Sequence, residues 1–270
     1  MIRGISLFLL LAWYGTAKAS GEWTVQGGRS AGMGQTSVAI SDCWSANNNQ
    51  AGMAFLDNNK VGFFFENRFL MKALSVQSLC FNYKMHTGTL GATLRYTGDA
   101  VYNSTKAGLG YALVIGHNVS AGVQLDYLGT YLGQEYGKSH KVTFEAGVMV
   151  KLNQQLTFGV HSFNAIHAKQ SGYGNEAIPT TMNFGFGYTG IDKFLLTAEV
   201  YKNSEFPMEL RTGAEYRLNQ VAYARIGLCS NPARYTFGFG IEKKKIVIDI
   251  ASSVHQQLGY SPQISFQYSF

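Results

Sequence analysis

The residues most able to do chemistry are six histidines and three cysteines, and their spacing predicts neither a catalytic pair nor a metal site. A hydrolase needs a histidine within hydrogen-bond reach of a nucleophile or of an acidic partner. His161 and Ser162 are adjacent in a segment that alternates like a strand, so their side chains face opposite sides. No phosphate loop or nucleotide fingerprint is present. We therefore expect no enzyme activity, no cofactor, no metal and no nucleic-acid partner.

The cysteines are an odd number for a chain that enters an oxidising compartment. We interpret Cys43, Cys80 and Cys229 as small core residues. A disulfide from Cys43 to Cys80 or to Cys229 is the alternative.

A second group of residues able to do chemistry consists of charged side chains that recur on one face of alternating segments. Acids and bases occur together on this face, so they can form pairs if the face is enclosed. We predict that these residues face a lumen: Glu66, Arg68, Arg95, Asp126, Glu145, Glu199, Arg211, Arg217, Arg225 and Asp249.

The elements that position these charges are short segments in which apolar side chains recur at every second residue. In the last segment Ile264, Phe266, Tyr268 and Phe270 alternate with polar residues, which is the period of a β-strand. About fourteen such segments follow Lys60, and the safe range is twelve to sixteen. The polar face is also rich in glycine, which weakens a solvent-facing strand but makes room for another piece of backbone. Polar-inside and apolar-outside is typical of a transmembrane barrel.

Composition and the first residues favour an exported protein. Arg3, the apolar run Ile5–Trp13 and the small residues Ala17 to Ser20 have the layout of a secretory signal peptide. The mature chain is rich in glycine and aromatic residues and only 14% of the sequence is charged. We predict three parts: a signal peptide over residues 1–19, an N-terminal hatch over 20–59 and an antiparallel all-β transmembrane barrel of about fourteen strands over 60–270.

The hatch prediction rests on the stretch Gly27–Leu56, which does not alternate. Its glycines and asparagines are typical of compact, turn-rich structure, with one short helix around Cys43–Ala46. Since this stretch cannot form a core alone, we expect it to fold inside the barrel as a plug. A mobile surface arm is the alternative.

Connection lengths give an expected orientation, because outer-membrane barrels alternate short periplasmic turns with longer outside loops. Six tight turns are predicted, the first at His86–Gly88 and the last at Lys243–Lys245. Gly98–Thr105, Gly129–His140 and the polar Asn164–Pro179 are among the predicted outside connections. The chain is thus expected in the bacterial outer membrane, in contact with its lipid, with both termini periplasmic. The terminal Phe270 resembles the signal by which bacterial barrels are recognised for insertion.

The hatch stretch also carries a family resemblance. It contains RSAGMG from Arg29, VAISD from Val38 and NQAGMA from Asn49, and this pattern resembles the PorV/PorQ-like branch of the FadL-type outer-membrane barrels. The family has proline where this chain has Gln50, which weakens the expectation of a sharp turn there. The matching positions give the candidate hatch residues, which are Arg29, Gly32, Met33, Gly34, Asp42, Asn49, Ala51 and Gly52.

The resemblance implies a fourteen-stranded barrel with a hatch in its lumen and leaves two functions open. PorV- and PorQ-like relatives from Bacteroidota are accessory barrels of type IX secretion, which bind cargo or partner subunits. FadL-type relatives take up long-chain hydrophobic molecules through a hatch that shifts. Because the predicted outside loops are short and polar, we expect the accessory role, with outer-membrane or periplasmic proteins as partners. Uptake of a hydrophobic small molecule is the alternative.

Overall fold

The alternating segments form a closed antiparallel barrel of fourteen strands in the computed structural model, which describes residues 24–133, 137–165 and 178–270. Each strand pairs with its neighbours in sequence, and β1 closes the ring against β14, with Lys60 opposite Ser269. The strands are β1 (Lys60–Asn67), β2 (Ser75–Lys84), β3 (Thr89–Gly98), β4 (Tyr102–Ile115), β5 (Val119–Leu132), β6 (Lys138–Lys151), β7 (Leu156–Phe163), β8 (Thr181–Tyr188), β9 (Phe194–Asn203), β10 (Glu209–Arg217), β11 (Ala222–Ser230), β12 (Ala233–Lys243), β13 (Ile246–His255) and β14 (Gly259–Ser269). The predicted fold class is confirmed.

The two faces of the barrel have the inverse of the polarity of a soluble β-protein. In β14, Ile264 and Phe266 are 43% and 41% exposed, whereas Ser265 and Gln267 are only 1% and 5% exposed. The other strands repeat this arrangement, so the outer surface carries large apolar side chains and the interior carries polar ones. Such a surface fits a location in the outer membrane. Within the described residues, no helix is long and apolar enough to cross a membrane.

One end of the barrel, here called the turn end, holds the six predicted tight turns, at residues 85–88, 116–118, 152–155, 189–193, 218–221 and 244–245. The opposite end is called the loop end. Two of the connections predicted there are shorter than expected, because β4 begins at Tyr102, β5 continues to Leu132 and β6 begins at Lys138. Tyr102 pairs with Leu132 in the same ladder as the residues below. The predicted loops Gly98–Thr105 and Gly129–His140 are therefore mostly strand.

The hatch lies in the lumen as a compact, irregular segment. Its regular elements are the helices α1 (Gly28–Gly32) and α2 (Ser45–Asn48) and a 3₁₀ helix over Gln50–Phe55. The short helix predicted around Cys43–Ala46 is found at α2. The proposed signal peptide, residues 1–19, and residues 20–23 of the hatch lie outside the described residues.

The wall glycines make room for the hatch backbone. A Cβ atom on Gly227 would lie 2.0 Å from the Gly34 nitrogen, and one on Gly159 would lie 2.1 Å from the Val38 carbonyl oxygen. The hatch backbone also lies against Gly122, Gly213 and Gly238, and hatch side chains lie against Gly62, Gly91 and Gly147. Gly108 and Gly240 instead lie against side chains of neighbouring strands. The glycine-rich polar face is thus a surface complementary to the hatch.

We predict that Gly227→Ala loosens the hatch while the barrel still forms. The added carbon meets backbone atoms of Gly34 and Met33, which cannot rotate away, and overpacking of this kind costs about 1–3 kcal/mol. Cleavage of the hatch by proteinase K in detergent should be faster than in the wild type. Gly129→Ala is the matched control, because its Cβ would have ordinary contacts of 3.5 Å or more. Equal cleavage rates in the two variants would contradict the fit described here.

Candidate functional site

The plugged lumen is the candidate site, and a chain of alternating charges fixes the first helix of the hatch in it. Arg29 of α1 donates two hydrogen bonds to Glu215 of β10, at 2.9 and 2.6 Å. Arg225 of β11 donates to Glu215 at 2.6 Å and to Asp249 of β13 at 2.7 Å. Burial alone would lower the pKa of Arg29, but Glu215 raises it above the usual arginine range. The helix is thereby tied to three strands through buried ion pairs.

Glu199 of β9 binds the backbone of the next hatch segment. Its carboxylate accepts hydrogen bonds from the Ser37 nitrogen at 2.8 Å and the Val38 nitrogen at 3.0 Å. Asn183 donates to the other carboxylate oxygen at 2.9 Å, and Arg211 lies 3.7 Å from it. An acid in the wall therefore satisfies two donors that the irregular hatch cannot pair internally.

Arg211 belongs to a second ion-pair group near the loop end. It donates to Glu209 at 3.0 and 2.7 Å, and Arg234 donates to the other oxygen of Glu209 at 2.6 Å. The Arg211 guanidinium also lies 4.0 Å from the ring centroid of Tyr201. Arg211 also donates to the Gln35 carbonyl oxygen of the hatch at 3.4 Å, so this group too contacts the hatch.

The third group surrounds Glu145 of β6. Its carboxylate pairs with Lys106, lies 3.0 Å from Nε2 of His161 and accepts a 2.5 Å hydrogen bond from Gln50 of the hatch. Asp126 lies 3.7 Å from Lys106 on the other side. Gln50 thus contributes a direct contact between hatch and wall.

The remaining predicted lumen residues lie outside these three ion-pair groups and make different kinds of contact. Glu66 accepts from Gln263 at 3.0 Å and from Arg68 at 3.2 Å. β1 ends at Asn67, so Arg68 lies in a short 3₁₀ turn rather than in the strand where it was predicted. Arg95 is buried and its guanidinium is 3.5 Å from the Thr24 carbonyl oxygen.

Arg217 differs from the other predicted lumen residues. It is exposed near the turn end, with its guanidinium 5.7 Å from the ring centroid of Tyr223. The ion-pair groups described above therefore do not include it.

The hatch residues suggested by the resemblance are buried, apart from Arg29, and most act through their backbone. Gly32 lies against Gly238 of the wall. Met33 lies against Gly213 and Gly227, and Gly34 lies against Gly227. Gly34 also has a φ of +66°, which favours glycine.

The second half of the motif holds the hatch together internally. Asn49 accepts from the Ala51 nitrogen at 3.2 Å and donates to the Val38 carbonyl at 2.6 Å. A Cβ on Gly52 would lie 2.6 Å from Oγ of Ser45. These contacts join the loop after α1 to the segment after α2.

Asp42 is a buried carboxyl group with an incomplete set of partners. Its Oδ1 accepts from the Trp44 nitrogen at 2.8 Å, and its Oδ2 has no hydrogen-bond partner among the described residues. Burial raises the pKa of Asp42, and the attraction of Arg29 opposes this shift only in part.

Several residues that belong to the ion-pair groups were not among the predicted site residues. Alternation placed those of the strands on the polar face, whereas Gln50 belongs to the hatch, and which partner each residue meets depends on strand register and on contacts with the hatch. The residues are Gln50, Lys106, His161, Glu209, Glu215 and Arg234.

A cavity of about 50 Å³ lies between the hatch and the wall near the loop end. Its lining includes Gln26 and Asn48 of the hatch and Arg95, Glu145 and Phe163 of the wall. This volume holds a few water molecules and is too small for an aromatic hydrocarbon. Among the described residues, no group of three His, Cys, Asp or Glu side chains is arranged to hold a metal ion.

Solved structures with a similar fold include transporters of toluene. The toluene transporter TodX of Pseudomonas putida has a TM-score of 0.68 at 11% identity, over 92% of this chain and 98% of that one. The toluene transporter TbuX of Ralstonia pickettii has a TM-score of 0.67 at 14% identity, over 90% and 98%. A Pseudomonas aeruginosa FadL homologue has a TM-score of 0.64 at 14% identity, over 91% and 98%.

The chain shares the fold of these proteins. No protein-family model and no curated protein matches the sequence. The neighbours are described as transporters, which fits the prediction of a non-enzyme. At identities this low, the similarity shows a shared fold but does not show a shared substrate.

We predict that Glu199→Ala releases the hatch segment around Ser37 and Val38. Two backbone donors lose a charged acceptor, and a hydrogen bond to a charged group contributes about 1.5–3 kcal/mol. Proteinase K should cut within residues 35–40 faster than in the wild type. Glu242→Ala, which removes an exposed carboxylate bonded to Tyr223, is the control, and cleavage that matches it would refute the role of Glu199.

We predict that Asp42→Asn stabilises the hatch, and increasingly so as pH rises from 4 to 8. A raised folded-state pKa means that the native state binds more protons than the unfolded state, so wild-type stability falls with rising pH through this range. Asparagine retains an acceptor for the Trp44 nitrogen without the charge.

The measurement for this prediction is the pH dependence of hatch protection against a protease active over the whole range, relative to the wild type. Asp57→Asn, at an exposed acid near the C-terminal end of the hatch, is the control. A stabilisation that shrinks with rising pH would contradict the assignment.

Proposed function

We propose that this chain is a non-enzymatic outer-membrane channel that admits small hydrophobic molecules when its hatch shifts. The observation that carries the proposal is a fourteen-strand barrel plugged by its own N-terminal segment, whose fold is similar to that of the toluene transporters TodX and TbuX. The tight turns and both ends of the barrel chain would face the periplasm.

The described conformation is a closed one. The cavity between the hatch and the wall is too small for toluene. The hatch backbone also lies directly against several glycines of the wall. Passage therefore requires the hatch to move. Its attachments are noncovalent hydrogen bonds and ion pairs, each of modest net free energy, so they permit an open state of low population.

Uptake by intact cells tests this proposal. Cells that export the full chain should take up radiolabelled toluene faster than vector cells. Arg29→Ala combined with Glu199→Ala removes two attachments of the hatch to the wall, and the open population should rise about tenfold or more if these contacts exist only in the closed state. Glu242→Ala should behave like the wild type.

Uptake equal to that of vector cells for the wild type and the double variant, at matched amounts of folded barrel, would overturn the channel proposal. Hexane and phenylnaphthylamine as further probes would separate selectivity for monoaromatic molecules from general leakiness.

The second candidate is the accessory role, in which a PorV/PorQ-like barrel binds cargo or partner subunits of a type IX secretion machine. The observation in its favour is the ion pair between Arg29 of the hatch and Glu215 of the wall, which the buried wall residue Arg225 extends to Asp249, together with the polar lining of the cavity. A permanently closed barrel suits a scaffold better than a channel. Affinity purification in mild detergent should then recover stable envelope partners, and purification as a lone barrel would count against this role.

A further inference from the structure

Two cysteines from different parts of the chain meet at the contact between hatch and wall. Sγ of Cys43, just before α2, lies 2.9 Å from Sγ of Cys80 on β2, and both are free thiols in this structure. They are separated by 37 positions in sequence and are 0% and 2% exposed. The third cysteine lies elsewhere, where its thiol donates to the Gly34 carbonyl oxygen at 3.2 Å.

The surroundings hold the two sulfur atoms together. Gly62 is opposite Cys80 on β1, and a Cβ atom there would lie 2.8 Å from the Cys80 sulfur and 3.0 Å from the Cys43 sulfur. The missing side chain of Gly62 therefore provides the space that the pair occupies. Asn82, the next inward residue of β2, donates to the Cys43 carbonyl oxygen at 2.9 Å.

An apolar cluster of Trp44, Phe64 and Val76 encloses the same pair. The two sulfur atoms are thus shielded from solvent and packed against neighbouring residues on several sides.

We propose that Cys43 and Cys80 form a disulfide in the exported protein, which tethers the centre of the hatch to β2. Secreted chains meet oxidising conditions, in which disulfides form and persist. A thiolate of one cysteine attacks an envelope protein disulfide, which gives a mixed disulfide and releases one thiolate of the oxidant. The second cysteine then displaces the oxidant's other sulfur. In the net reaction two protein thiols lose two electrons and two protons, and the oxidant's disulfide becomes two thiols.

The tether would restrict how the lumen opens, a consequence that rests on the proposed channel function. With Cys43 fixed to the wall, the hatch cannot leave the lumen as one body. Opening must then occur by movement of residues 24–42 on one side of the tether or of the 3₁₀ segment on the other.

Disulfide mapping of the full-length exported protein is the direct test. Free thiols are blocked with N-ethylmaleimide in denaturant, and the digest is analysed without reduction. We expect the Cys43 and Cys80 peptides linked and lighter by two hydrogen atoms than their sum, with Cys229 alkylated. Alkylation of all three cysteines, or a link from Cys43 to Cys229, would overturn the proposal.

Two variants sharpen the result. Cys229→Ser should retain the linked peptide, whereas Cys80→Ser should leave Cys43 alkylated. In detergent, dithiothreitol should increase hatch cleavage by proteinase K in Cys229→Ser and have no effect in Cys80→Ser. If a variant does not fold, mapping of the wild type still decides. If cells take up toluene but the protein lacks the disulfide, only the disulfide proposal is refuted. If the disulfide forms but cells take up no toluene, only the channel proposal is refuted.

Discussion

The structure depends on the close approach of the hatch backbone to a wall that lacks side chains at the points of contact. A barrel of fourteen strands encloses more space than its own inward side chains fill, and here the remaining space is filled by residues 24–56. Glycines in the strands cost local stability. These glycines lie against Met33, Gly34, Val38 and Gln50 of the hatch. Any side chain in their place would displace the plug, so the lost strand stability is offset by room for the hatch.

Charge is the second constraint, and it follows from the first. A backbone that enters a lumen as turns and single helical turns leaves amide groups without internal partners, and acids of the wall such as Glu199 accept from them. Buried acids need bases, and Arg211, Arg225 and Lys106 supply them from neighbouring strands. Such ion pairs give little net stability, but breaking one leaves an unpaired buried charge. The acids held in these pairs also accept hydrogen bonds from the hatch, and they therefore specify where the hatch sits.

The sequence predicted the period, strand number and inward face because these are local properties of each strand. Ile264 and Phe266 pointing outward, and Asp249 and Glu145 pointing inward, follow from alternation alone. The pairing partners do not follow from alternation, because they depend on strand register and on where the hatch lies, which is why Glu215, Lys106 and Gln50 were missed. Strand ends were least predictable: Arg68 falls one residue beyond β1, and residues 102–104 and 138–140 extend the ladders into predicted loops.

The proposed function depends on the hatch rather than on the fold alone, since one architecture serves different functions. The central claim is that residues 24–56 occupy the lumen as a packed plug. Hydrogen–deuterium exchange of the purified full-length chain in detergent tests it most directly. The amides of Ala31, Val38, Asn49 and Gly52 should exchange orders of magnitude more slowly than in a free chain. Exchange across residues 27–56 at free-chain rates, beside protected barrel strands, would contradict the account.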